Sequence, residues 1–257
     1  MRLFDTHAHY ENGRFDIDRD AVLRSLAGKG VGLVANIGSD METSRQSVAL
    51  AERYPFVWAA VGVHPHDAKN FVPGNLDELA AMLSRPRVRA LGEIGLDYHY
   101  DFSERSDQKR VFLQQMDLAR ALNVPVVIHE REACADTLDI LRQFPTVRGV
   151  CHCFSGSIET ARELLNLGYM ISFTGNITFK NARRAPEVIA WLPEDRIMLE
   201  TDCPYMAPEP FRGRRCDSGY LYRVCETAAA IRGVSPEHLA EVTLQNGLRF
   251  YSIEDPS

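Results

Sequence analysis

The sequence predicts a (β/α)8 barrel with its active site at the C-terminal ends of the strands, and three observations predict it. The chain has 257 residues, 45% hydrophobic and 25% charged. Barrels of roughly this size close as one domain, so residues 1–257 are expected to form a single catalytic domain. Eight short runs rich in Val, Ile and Leu alternate with longer segments of helical spacing, the pattern of parallel strands each followed by a covering helix. Side chains able to bind metal recur where those runs end.

In chain order the predicted strands are 3–5, 32–37, 57–63, 88–93, 124–129, 147–152, 169–173 and 197–202. Each is a nearly continuous apolar run, as strands covered on their outer face require. Helices are predicted between them at 18–28, 42–54, 75–84, 103–122, 134–144, 158–167 and 186–191, and after the last strand at 217–231 and 236–250. Several carry their own start and stop signals: Ser157 precedes one helix and Gly168 follows it, and Ser235 precedes Pro236 and Glu237. No GxGxxG follows the first strand, which sets aside a dinucleotide-binding open sheet.

Composition narrows the setting. Six cysteines without a CxxC pair read as reduced thiols, although Cys151 and Cys153 flank His152. No apolar run approaches the roughly 18 residues of a membrane span, and the chain opens MRLFDTHAHY without a leader-like apolar stretch. A cytoplasmic protein is expected, with no membrane contact and no obligate protein partner. The net charge of −6 argues against coating duplex nucleic acid, which needs many basic contacts. It leaves room for a substrate phosphate held at one site.

The chemistry collects at the strand ends. Strand one finishes at Asp5, Thr6, His7, Ala8 and His9, strand three at His64, and the later strands at Glu93, His129, His152 and Asp202. A barrel gathers these ends around one axis, where so many imidazoles and carboxylates need a cation to organise them. Alternation along a strand lets His7 and His9 grip one ion together, with Asp202 opposite. Glu93, with two oxygens, can bridge to a second ion held by His129 and His152. Two divalent ions so placed activate water between them. Imidazole-rich ligation favours zinc, manganese, iron or cobalt over magnesium without choosing among them. Asp5 either supports the histidine pair or packs at the barrel bottom.

This arrangement resembles the amidohydrolase superfamily, many of whose dinuclear members bridge their ions with a carboxylated lysine. None of Lys29, Lys69, Lys109 or Lys180 stands where such a bridge is needed, which leaves the role to Glu93. Seven motifs in order, FDTHAHY (4–10), GVHPHDA (62–68), GEIGLDYHYD (92–101), VVIHER (126–131), HCFSG (152–156), TGNITFK (174–180) and ETDCPYMAP (200–208), resemble the TatD family of metal-dependent deoxyribonucleases. The resemblance implies a (β/α) barrel, with metal ligands His7, His9, Glu93, His129, His152 and Asp202. It weakens after Pro208, where this chain runs Arg212, Gly213, Arg214, Arg215, Cys216, Asp217, and again at Asn246, which Gly247 follows where family members tend to have alanine.

The expected reaction is hydrolysis of DNA phosphodiester bonds. Asp202 is both ligand and proton acceptor and Glu93 its catalytic companion. Arg131 is the leading phosphate ligand, because it lies two residues beyond His129. His64 and His66 are candidates for binding phosphate or protonating the leaving oxygen, and Lys180 and Arg212 for further substrate contacts. Tyr98, Tyr100, Phe154 and Tyr205 are candidates for stacking on bases. The acidic balance suits an exonuclease on single-stranded or frayed DNA ends. The alternative with the same ligands is an amidohydrolase or esterase acting on a small substrate or on aminoacyl-tRNA.

Overall fold

Each apolar run of the sequence becomes a buried strand. The computed structural model describes residues 1–255. Its strands are β1 (Leu3–Ala8), β2 (Val31–Ile37), β3 (Val57–Val61), β4 (Val88–Asp97), β5 (Val126–Arg131), β6 (Gly149–Cys151), β7 (Met170–Phe173) and β8 (Ile197–Leu199). Helices α1 (Arg19–Ser25), α2 (Met41–Arg53), α3 (Gly74–Leu83), α4 (Arg105–Leu122), α5 (Cys134–Leu141), α6 (Ile158–Asn166) and α7 (Arg184–Trp191) fall between them, and α8 (Leu221–Arg232) and α9 (Pro236–Tyr251) follow. The sheet order runs from β1 to β8 without a crossover. The pairs β1–β2, β3–β4, β4–β5, β5–β6 and β7–β8 are parallel. Ala8 makes a parallel bridge to Cys203, so the first strand meets the segment that follows the last. A sheet ordered in this way and joined at its ends is the predicted barrel.

The chain divides into two compact units, one of Met1–Asn36, Cys153–Arg162 and the residues from Met170 onward, the other of Ile37–His152 and Glu163–Tyr169. In the first unit every residue of β1 is buried, and α9 packs on it through Phe4 and Tyr251, whose rings lie 5.7 Å apart. In the second unit α2 starts on a capping box: the Thr43 amide donates to Asp40 Oδ1 at 2.7 Å and the Asp40 amide to Thr43 Oγ1 at 2.8 Å. Two buried glutamines of α4, seven residues apart and so on one helix face, pair with main chain as a strand would. Gln115 bonds both the N–H and C=O of Val63, at 2.8 and 2.9 Å. Gln108 does the same for Asp97, at 2.9 and 3.0 Å. Val63 adjoins His64, so α4 fixes two functional positions at once.

Boundaries differ from expectation where the chemistry lies. β1 runs three residues and β4 four residues past their predicted ends. β8 stops three residues early, because Asp202 takes a φ of 55°, which no strand accommodates. All six cysteines are free thiols, four of them buried. Among the described residues no helix is long and apolar enough to cross a membrane.

Gly247 sits inside α9, where alanine would gain about 1 kcal/mol of helix propensity. A Cβ there would lie 2.6 Å from Phe4 Cδ1 and 3.1 Å from Thr6 Cγ2. Overpacking a closed core costs roughly 1–3 kcal/mol, so the clash wins. Gly247→Ala is expected to lower Tm by about 2–4 °C in thermal unfolding. In a Phe4→Leu background the same change should raise it.

Candidate metal centre

In the first unit β1 places His7 and His9 on one side of the strand, and the turn after β8 brings Asp202 to them. The two Nε2 atoms face one another at 3.0 Å, and Asp202 Oδ1 lies 3.8 Å from His7 Nε2 and 3.4 Å from His9 Nε2. Ligand atoms around a tetrahedral ion with bonds of about 2.0–2.1 Å stand roughly 3.3 Å apart, so this triangle fits one divalent cation. The Asp202 amide donates to the His7 carbonyl at 2.9 Å, which clamps the carboxylate beside the imidazoles. Burial lowers the His9 pKa, but Asp202 and Glu11 outweigh it and carry it well above the ordinary value. The same negative surroundings favour a metal cation.

Glu11 was not found from the sequence. It is buried, its Oε1 lies 3.4 Å from His9 Nδ1, and its Oε2 accepts from Asn36 Nδ2 at 2.7 Å. A carboxylate behind a ligand imidazole fixes ring and tautomer and raises ligand basicity. Its only sequence signal was a carboxylate two residues past the HxH pair. Asp5 supports the histidine pair through main chain, its Oδ1 accepting the His7 amide at 3.4 Å. Its carboxylate accepts the Thr201 amide at 2.9 Å and hydroxyl at 2.5 Å, which steadies the residue before Asp202, and burial pushes its pKa up to about 7.

In the second unit Glu93 projects from β4 into a ring of histidines. Its Oε1 lies 2.7 Å from His152 Nε2, 2.9 Å from His129 Nδ1 and 3.6 Å from His64 Nε2, and the His129 and His152 nitrogens are 3.3 Å apart. This is a second set of ligand atoms at ion-binding spacing. Burial alone would raise the Glu93 pKa, but His152 and His64 hold it well below the carboxylate range. Burial and the neighbouring His129 push His64 well below its ordinary value. His64 Nδ1 accepts the His66 amide at 3.1 Å, which assigns the proton of the neutral ring to Nε2, facing Glu93.

Asp97 was also missed, although it closes the GEIGLDYHYD motif's run and alternation puts it on the Glu93 face. Its Oδ2 lies 3.1 Å from His129 Nε2 and 2.9 Å from His66 Nε2, and its Oδ1 accepts the amides of His99 and Tyr100 at 3.0 and 2.9 Å. His129 is thus buttressed by Asp97 as His9 is by Glu11. Gly95, between the two carboxylates, has a φ of 145°, and a Cβ there would collide with the His129 carbonyl. Glycine is what lets β4 pass β5 closely enough for both carboxylates to reach His129.

The expected substrate contacts separate. Arg131 is exposed at the end of β5, its guanidinium 4.8 Å from the centre of the Tyr100 ring. Tyr100 stacks on Phe102 at 5.1 Å, and His66 packs edgewise on both. Tyr100 and Tyr205 are about half exposed. Phe154 is buried and so unavailable to a base, and the Tyr98 hydroxyl is committed to Asp136 at 2.6 Å. Lys180 and Arg212 are exposed on the loops after β7 and β8, and Arg212 lies over Phe179.

Comparison with known proteins settles the family. The family described as "TatD related DNase" matches residues 4–252. This chain belongs to the TatD family. It is 38% identical to the "uncharacterized metal-dependent hydrolase YabD" of Bacillus subtilis, covering 98% of this chain and 99% of that one. It is 31% identical, over 98% and 99% of the two chains, to a Salmonella typhimurium protein named "3'-5' ssDNA/RNA exonuclease TatD". The crystal structure of YJJV, a TatD homologue from Escherichia coli, superposes with a TM-score of 0.93 at 31% identity, covering 98% of this chain and 99% of that one. The protein is a TatD-family metal-dependent hydrolase with that family's barrel.

The carboxylate behind His9 gives the first prediction for this centre. Glu11→Gln is expected to weaken metal retention about 10–100-fold, as loss of such a support does elsewhere. Competitive chelator titration followed by metal analysis of the folded variant measures it.

Proposed function

We propose that the protein is a metal-dependent exonuclease that shortens single-stranded DNA ends. The observation that supports it most is the pair of His–carboxylate clusters, each spaced for a divalent ion, in a chain whose relatives include one named as a single-strand exonuclease. His7, His9 and Asp202 would hold one ion, and Glu93, His129 and His152 another. Ions bound there would acidify water and screen the charge that develops on a phosphate.

The chain's own residues do the remainder. The Asp202 side chain is 16% exposed, enough to meet water while still among the ligands, and it takes the proton of the attacking water. His64, neutral and with its Nε2–H turned into the site, donates to a phosphate oxygen or to the leaving oxygen. His66, anchored by Asp97, and Arg131, steadied on Tyr100, bind the phosphate, and the exposed Tyr100–Phe102 ledge takes a terminal base by stacking. Lys180 and Arg212 reach the strand farther from the cut.

Asp202→Asn is expected to lower the rate of stepwise shortening of end-labelled single-stranded DNA by about 10²–10⁴-fold, the range for losing a positioned proton acceptor. Chelation of the wild type should abolish cleavage, and divalent metal should restore it. Full activity in the folded, metal-loaded variant would remove Asp202 from this role. Metal-dependent hydrolysis of esters, amides or aminoacyl-tRNA, with DNA left intact, would replace the nuclease reading.

A further inference from the structure

Most of the arginines in this acidic chain are neutralised. Arg45 pairs with Glu78, Arg105 with Asp101, Arg142 with Glu163 and Arg215 with Asp18, at 2.6–3.0 Å. Four basic residues on the loops after β7 and β8, with Arg184 at the start of α7, behave differently. Lys180, Arg183, Arg184, Arg212 and Arg214 are all exposed, and among the described residues none has a carboxylate within ion-pair distance. The two loops are tied together, because the Glu209 amide donates to Thr178 Oγ1 at 2.8 Å and Arg212 lies 4.3 Å over the Phe179 ring. A cavity of about 370 Å3 opens at the loop after β7, lined by Ser155, Asn176, Phe179, Asn181, Arg183 and Arg184.

Its size is that of a small-ligand pocket, roughly 300–1,000 Å3. Its lining combines one aromatic ring, two amides, a hydroxyl and two unpaired guanidiniums. The first two residues of α7, Arg184 and Ala185, also line it, and that helix starts without a side-chain cap. Unneutralised cations around an aromatic ring suit a nucleotide within a strand, where phosphate meets guanidinium and base meets ring. The chain's net charge of −6 makes this local excess of positive charge the more selective.

We propose that this cavity is a subsite for a nucleotide of single-stranded nucleic acid lying outside the bond that is cut, with Arg183 and Arg184 on its phosphates. The subsite rests on the nuclease reading for its place in catalysis, and binding can be tested apart from turnover. The probe is a fluorescent, phosphorothioate-linked dT10, titrated into the metal-loaded protein by anisotropy at several salt concentrations. Arg183→Ala/Arg184→Ala is expected to weaken binding about tenfold at low salt. It should also make the slope of log K against log salt shallower by about 1.4, the value for two lost phosphate contacts on a single strand. Metal content and hydrolysis of bis(p-nitrophenyl) phosphate should stay unchanged. Asn181→Asp, which adds one negative charge at the cavity, should weaken binding with the same sparing of the small diester.

An unchanged affinity and slope in the double variant overturn the subsite, as does a wild type that does not bind the strand. A wild type that binds the strand through these arginines but leaves ordinary dT10 uncut keeps the subsite and overturns the exonuclease. A wild type that cuts dT10, with a double variant of equal affinity, does the reverse.

Discussion

An ionised carboxylate with only 4% of its surface exposed is the constraint on which the second unit depends. Glu93 cannot hold its charge there without partners, because an isolated buried carboxylate costs several kcal/mol or more. The partners come from three directions: His129 from β5, His152 from just past β6 and His64 from the turn after β3. Each of these must be fixed in turn. Asp97 aligns His129, Gln108 fixes Asp97, and Gln115 fixes the main chain beside His64. Removing a glutamine would therefore leave buried main-chain groups unbonded and loosen the residue they position. The packing of α4 and the chemistry of the site are one arrangement.

The first unit solves the same problem with a different set of parts. Its two imidazoles are matched by two carboxylates, Asp202 and Glu11, on either side of His9, with Asp5 behind Thr201. The main chain does much of the positioning: the His7 carbonyl receives the Asp202 amide, and the Cys203 carbonyl receives the His9 amide. Asp202 can face the pair because its backbone turns into the left-handed region, a conformation aspartate tolerates better than most residues. Histidine-rich in one unit and carboxylate-rich in the other, the two clusters present different fields to whatever they bind.

What the sequence made legible follows from what periodicity encodes. The apolar runs located all eight strands, and the ends of those runs located His7, His9, Glu93, His129, His152 and Asp202. The two buttressing carboxylates escaped for opposite reasons. Asp97 lay inside a strand predicted to end four residues earlier, at Glu93, where the first metal-binding side chain stands. Glu11 lay just past a strand, where alternation no longer says which way a side chain points. Contacts between distant segments, such as Asp5 with Thr201 or Gln115 with Val63, have no periodic signature at all. Burial was equally invisible for Phe154, whose neighbours in sequence are polar.

The parallel bridge from Ala8 to Cys203 has a consequence for how the protein is made. His7 and His9 leave the ribosome about 195 residues before Asp202, roughly 10–40 s at ordinary rates of synthesis. The three-residue ion site of the first unit therefore comes into being only after synthesis has passed Asp202. A cation captured there binds a chain in which β1 has already met the segment after β8, so metal supply acts after that pairing and not before it.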